Sequence, residues 1–196
     1  MIIIFKEKQE IKIGYFVLED SDLYPDCNDE DLVDLENLPM RFVDGKFVAF
    51  CDTDVISDMV LYDDEFFKKI DFNYKDLIIK AVGSFQSIVE GLKREDDDFG
   101  QACVFAEDGR CFSINADYEV REIDGVICYG AHREYVRSLI DDTKGRSVEE
   151  CMEMIASLYY ALLKMNVYPY VIMDANTGKG KVVYKGGKER GIDCCA

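Results

Sequence analysis

The residues from Ile127 to Val136, ICYGAHREYV, join an apolar run to a helix-like run through Gly130, and they contain the only histidine of the chain, His132. A strand, a glycine and a helix start can form a phosphate cradle, a nucleophile turn or plain architecture. A phosphate cradle needs several glycines, so that successive backbone N–H groups converge on the anion. Here Gly130 is followed by Ala131 and His132. The residues therefore favour a glycine that eases a tight strand-to-helix turn. His132 would need a carboxylate or thiol partner to act as an acid, a base or a ligand, and none is identifiable nearby in the sequence. The first turn of a helix is its simpler place.

The remaining chemistry-bearing residues point to little. Eight cysteines occur, with no CxxC pair, and most sit in apolar runs such as FVAFC and GVICY. That is how a reduced compartment uses cysteine, as a small apolar residue. One histidine and no paired thiols argue against zinc. The stretch Glu19 to Glu36 holds nine acidic residues and no basic ones. It lacks the glycine and spacing of an EF-hand and reads as a solvated acidic loop. No metal or cofactor is expected. A net charge of −17 would repel nucleic-acid phosphates and anionic membranes. No apolar run approaches membrane-spanning length, and the start MIIIFKEKQEIKI becomes charged too early for a signal peptide. The expectation is a cytoplasmic protein with no nucleic-acid or membrane partner.

These residues must be positioned by an ordered set of elements. IIIFKEK and EIKIGYFVL read as two strands joined near Gln9 and Glu10. RFVDGKFVAFC, ACVFAEDGRCFSI and EVREIDGVICYG read as hairpins turning at Asp44-Gly45, Asp108-Gly109 and Asp124-Gly125. Residues 54–69 and 74–95 read as helices, the second with Leu77, Ile78, Ala81, Val82, Phe85, Ile88, Val89 and Leu92 on one face. After Gly130 a short helix spans 133–142. Ser147 and Glu150 form a capping box at the start of a longer helix with an apolar face of Val148, Cys151, Met152, Ile155, Leu158, Tyr159 and Leu162. YPYVIMD and GKVVYK close the chain as strands around residues 176–178.

Runs such as IIIF, FVAF, VICY and YVIM are apolar at successive positions, so both faces of their strands must be covered. Hairpins imply antiparallel pairing. Two antiparallel sheets packed face to face, with helix pairs outside, satisfy both demands: an α+β, four-layer αββα sandwich. A single domain is expected over residues 1–186, followed by a tail over 187–196 ending in Cys194 and Cys195.

This element order resembles the proteasome β-subunit and HslV family of N-terminal nucleophile hydrolases. The resemblance is carried by the segment from Gly125 to Asp174, which is similar to the family's strand, Gly-Ser-Gly-like turn, short helix, S-x-E-x-A helix start and returning strand. MIIIFKEKQEIKIGYF resembles its opening hairpin. The resemblance implies an N-terminal threonine nucleophile whose own α-amine serves as base. It also implies a lysine after the second strand, an aspartate closing that strand and a serine at the strand-to-helix turn. At those positions the chain has Met1, Pro39, Phe16 or Val17, and Ala131. Between Lys12 and Arg41 no lysine or arginine occurs. The later aspartate-serine support falls near residues 165–168, which hold neither residue.

Met1 precedes Ile2, a residue too large for ordinary methionine trimming, so Met1 is expected to stay. Processing at Ser21, Cys27 or Cys103 would delete core strands. The reading is a non-catalytic relative with degenerate positions Met1, Pro39 and Ala131. Its cleft would be lined by Glu19, Asp20, Gly130 and His132. Its function would be assembly as a homo-oligomer or beside proteasome-like paralogues. The alternatives are a peptidase or amidohydrolase of the same class with an unrecognised or processed nucleophile, and a monomeric binding module that kept only the fold.

Overall fold

The computed structural model describes residues 1–16, 38–51, 102–115, 120–130 and 133–193. Their strands form two antiparallel sheets. The first has six strands in the order β11-β10-β9-β2-β1-β8. These span Ile2–Glu7 (β1), Glu10–Phe16 (β2), Gly125–Tyr129 (β8), Tyr170–Asp174 (β9), Lys179–Val183 (β10) and Glu189–Asp193 (β11). The second runs β3-β4-β5-β6-β7, with Met40–Val43 (β3), Lys46–Cys51 (β4), Ala102–Glu107 (β5), Arg110–Asn115 (β6) and Val120–Glu122 (β7). The tight turns follow from residues that tolerate positive φ. Asp44 and Gly45, like Asp108 and Gly109, adopt it in succession and join β3 to β4 and β5 to β6.

Between the sheets lies one apolar core. Ile2 and Ile4 of β1, Ile11 and Ile13 of β2, Phe47 and Ala49 of β4, Val104 and Ala106 of β5, and Val171 and Met173 of β9 are all buried in it. The other face of the six-stranded sheet presents Ile3, Phe5, Phe16, Tyr170 and Ile172 to a second core, completed by helix α2, Val148–Leu163. A sheet covered on both sides needs apolar residues at successive positions, which is why IIIF and YVIM do not alternate. Helix α2 begins where expected. The Ser147 hydroxyl accepts from the Glu150 N–H, and the Glu150 carboxylate accepts from the Ser147 N–H at 2.8 Å. Met152 of α2 packs directly against Gly14, the one position of β2 that leaves room for it.

Four expectations need correction. Val120–Glu122 and Gly125–Tyr129 are not a hairpin: β7 and β8 belong to different sheets. Ile123 between them is buried in the inter-sheet core, and its N–H donates to Cys111 O at 2.9 Å. An apolar residue next to a turn-like Asp-Gly pair here marks a crossing between layers. The helix expected over 133–142 is shorter. Helix α1 spans Arg133–Arg137, and a 3-10 turn follows at Ile140–Thr143. Residues 187–196 are not all tail, because β11 pairs with β10 from Lys179↔Asp193 to Val183↔Glu189. Leu162, assigned to the buried face of α2, is 56% exposed. The helices expected over 54–69 and 74–95 lie outside the described residues, as do Glu19, Asp20, Ala131 and His132.

Candidate active site

The candidate site is the end of the six-stranded sheet where β1 starts. Antiparallel pairing with β2 runs from Ile2↔Tyr15 to Glu7↔Glu10. It extends one residue further, because Met1 and Phe16 exchange backbone hydrogen bonds. The Met1 amine donates to Phe16 O at 2.9 Å, and the Phe16 N–H donates to Met1 O at 3.0 Å. On the other side β1 pairs with β8, with Ile2 opposite Tyr129. That register places Met1 opposite Gly130, a buried glycine at φ 112, where a side chain would be strained. The register thus sets Met1 beside Gly130.

What stands at this position is a packed side chain. Met1 is 5% exposed and belongs to the helix-side core. Its sulfur accepts a hydrogen bond from the Tyr159 hydroxyl at 3.0 Å. Phe16 meets Tyr170 edge-on, with ring centroids 5.4 Å apart, and lies 6.3 Å from the ring of Tyr159. The chain therefore reaches the start of β1 with its side chain turned toward α2, while Ile2 and Ile4 point between the sheets.

Burial favours the neutral form of two phenols and one thiol nearby. Burial pushes the Tyr159 hydroxyl well above the usual phenol range. Burial also raises the Cys128 thiol. Arg137 and Arg133 oppose that shift without overcoming it, and the thiol donates to Arg133 O at 3.4 Å. A nucleophilic cysteine needs the opposite shift. Tyr129, across from Ile2, is raised by burial too; its hydroxyl donates to Ser113 Oγ at 2.6 Å, linking β8 to β6 of the other sheet.

Pro39 sits on the other sheet, immediately before β3, in a tight turn where the Met40 N–H donates to Leu38 O at 2.7 Å. Leu38 and Met40 on either side are buried in the inter-sheet core. Lys12, the last lysine before this segment, points to the helix side of β2 and pairs with Asp174. It stands opposite Phe5, four residues along β2 from Phe16. No group of three or more histidine, cysteine, aspartate or glutamate side chains suited to a metal ion occurs among the described residues. No helix is long and apolar enough to cross a membrane among them.

The partners of Met1 were not singled out by sequence. Tyr159 was legible as a member of the apolar face of α2, and Phe16 as the end of a strand. No local signal joins either to residue 1, because the contact closes over a separation of 158 residues in one case and 15 in the other.

No protein-family model and no curated protein sequence matches the chain. Solved structures do. BPH from Thiobacillus denitrificans superposes with a TM-score of 0.59 at 13% identity, covering 89% of this chain and 97% of that one. The same protein in complex with epoxomicin gives 0.57 at 12% identity, covering 89% and 98%. Anbu, an ancestral β-subunit from Yersinia bercovieri, gives 0.52 at 12% identity over 89% of this chain and 81% of that one. At such identities the likeness concerns the backbone. Together with two stacked antiparallel sheets and α2 packed on the first of them, it gives the chain a proteasome-like fold.

Proposed function

We propose that this protein is a non-catalytic, proteasome-β-like subunit that acts through assembly with copies of itself or with related chains. The observation that carries the proposal is the state of residue 1. In the implied chemistry a hydroxyl at the start of β1 attacks a carbonyl while the α-amine takes its proton. Here the side chain is a thioether, which cannot attack. It is buried toward α2 and bonded to Tyr159, and the amine beside it donates to Phe16 O. Pro39 offers no charge where a lysine is implied, and Ala131 offers no hydroxyl.

The proposal includes a fourth layer. Val48, Phe105 and Phe112 lie opposite one another on β4, β5 and β6 and are essentially unexposed, yet they belong to neither described core. They form the outer face of the five-stranded sheet. The four-layer αββα arrangement expected from the sequence requires helices over that face.

The alternative, a hydrolase unmasked by processing, differs in a measurable way. Native mass spectrometry of the protein purified from its host reads assembly and N-terminal identity together. A multimer of chains that keep Met1 supports the proposal. A trimmed chain beginning with Thr, Ser or Cys overturns the non-catalytic reading, and a monomer overturns the assembly reading.

A further inference from the structure

The helix-side face of the six-stranded sheet holds a cavity at the end away from residue 1. Its volume is about 370 Å³, and it lies between the first turn of α2 and the β9-β10 hairpin. Lys12 reaches it from β2, four residues and so roughly 13 Å along the strand from Phe16. The cavity is therefore separate from the surroundings of Met1.

Strand alternation puts three lysines on this face. Ile11 and Ile13 flank Lys12, and Val182 follows Lys181; these apolar neighbours are buried between the sheets, so the lysines project to the other side. Lys179, two residues before Lys181 on β10, shares its face, and all three line the cavity. Asp174 and Glu149 line it too, but both are already engaged. Asp174 accepts from the Asn176 N–H at 2.9 Å and pairs with Lys12. Glu149 pairs with Lys181 at 3.2 Å. The lysines keep donors in hand, since each ammonium carries three hydrogens. Lys12 has Asp174, Lys181 has Glu149 and Glu189, and Lys179 has no acceptor among the described residues. Burial raises the Glu149 carboxyl, yet its own N–H, Lys181 and Lys12 outweigh that and hold it below the usual carboxylate range. The cavity thus favours negative charge, in a chain whose net charge is −17. Beside the charges lies carbon, from Val148 and from Ile172, which is 5% exposed.

We propose that this cavity binds a small organic carboxylate, with its charged group among Lys12, Lys179 and Lys181 and its carbon body over Ile172 and Val148. One negative charge fits the balance of three lysines against two carboxylates. A dianion such as inorganic phosphate would be repelled by Asp174 and Glu149 once Lys179 is satisfied, and it has no carbon to place on Ile172. An organic cation would face three ammonium groups at close range. The site depends neither on the state of residue 1 nor on assembly. A ligand there would tie α2 to β10 and stabilise the folded chain by mass action.

The test is a titration of the ¹⁵N-labelled full chain with hexanoate and with benzoate at constant ionic strength, followed by amide shifts. Inorganic phosphate and hexylammonium serve as comparison probes. Saturable shifts should appear around Lys12, Val148, Ile172 and Lys181, with a Kd on the order of 1 mM, the scale for so small a ligand. Lys179→Met, which keeps the stem and removes the charge, should weaken binding about tenfold or more. Lys179 is exposed, so the variant should fold, as a thermal melt would confirm. Lys185→Met, at an exposed lysine in the β10-β11 turn, should leave binding unchanged. No saturable shift with either carboxylate up to ~50 mM, far above that Kd, overturns the site. Binding that Lys179→Met leaves intact overturns the placement of the charged group. Phosphate or hexylammonium binding as tightly as hexanoate overturns the choice of a carboxylate.

Discussion

Replacing Met1 by threonine through a cleavable leader separates two accounts of this fold. If only the nucleophile were missing, Met1→Thr would create a peptidase. The structure predicts instead a weaker protein without activity. Met1 is 5% exposed in the helix-side core. Shortening a buried methionine-sized side chain costs about 2–5 kcal/mol, through lost transfer energy and the cavity left behind. Threonine keeps part of the volume but adds a hydroxyl, and Tyr159 loses the sulfur that accepts its hydrogen bond. About 2–4 kcal/mol is therefore expected. For a chain of this size that lowers Tm by roughly 5–15 °C, at about 2–4 °C per kcal/mol. Paired thermal melts and turnover of fluorogenic peptide amides provide the assay. Adding Pro39→Lys and Ala131→Ser should bring more activity than threonine alone. A Met1→Thr protein as stable as wild type would refute the packing argument, and peptide hydrolysis by the single variant would refute the assignment of the site.

Three further outcomes are expected. Tyr129→Phe should destabilise by about 1–2 kcal/mol in urea unfolding, because the buried Ser113 hydroxyl loses its 2.6 Å partner. Cys111, whose thiol burial pushes up to about 12, should resist thiol reagents at neutral pH in the folded protein and react on denaturation, as followed by mass spectrometry. For Glu149, burial pushes the carboxyl up, but its own backbone N–H and Lys181 at 3.2 Å outweigh that and hold it below the usual carboxylate range. Its contribution to stability is then present above the unfolded value of about 4.3 and lost as pH falls through the lower folded value. Glu149→Gln should therefore flatten the acid limb of a stability-against-pH curve.

The parts of the fold legible in the sequence were those fixed by local chemistry. Asp-Gly pairs at positive φ announced two hairpins, Ser147 and Glu150 announced α2, and unbroken apolar runs announced sheets covered on both sides. The parts that were not legible depend on tertiary choices. Asp124-Gly125 carries the same turn signal as the other two pairs, but Ile123 takes the inter-sheet core and sends the chain into the second layer. Glu189–Asp193 is charged and poor in strand formers, yet it pairs along β10 because that edge is available to it. Leu162 obeys helical periodicity but lies on the flank of α2 away from the sheet. At the candidate site, the thioether of Met1 and the absence of lysine between Lys12 and Arg41 could be read from residue types. That Met1 is a core residue held by Tyr159 could not, because only the folded chain brings α2 to the start of β1.

The most direct test of the non-catalytic account is covalent labelling of the native protein with a β-lactone probe, read by intact mass and by peptide mapping of the N-terminus. The account predicts no adduct on the N-terminal residue and a terminus that still begins Met1-Ile2. An adduct on a newly exposed Thr, Ser or Cys terminus would contradict it.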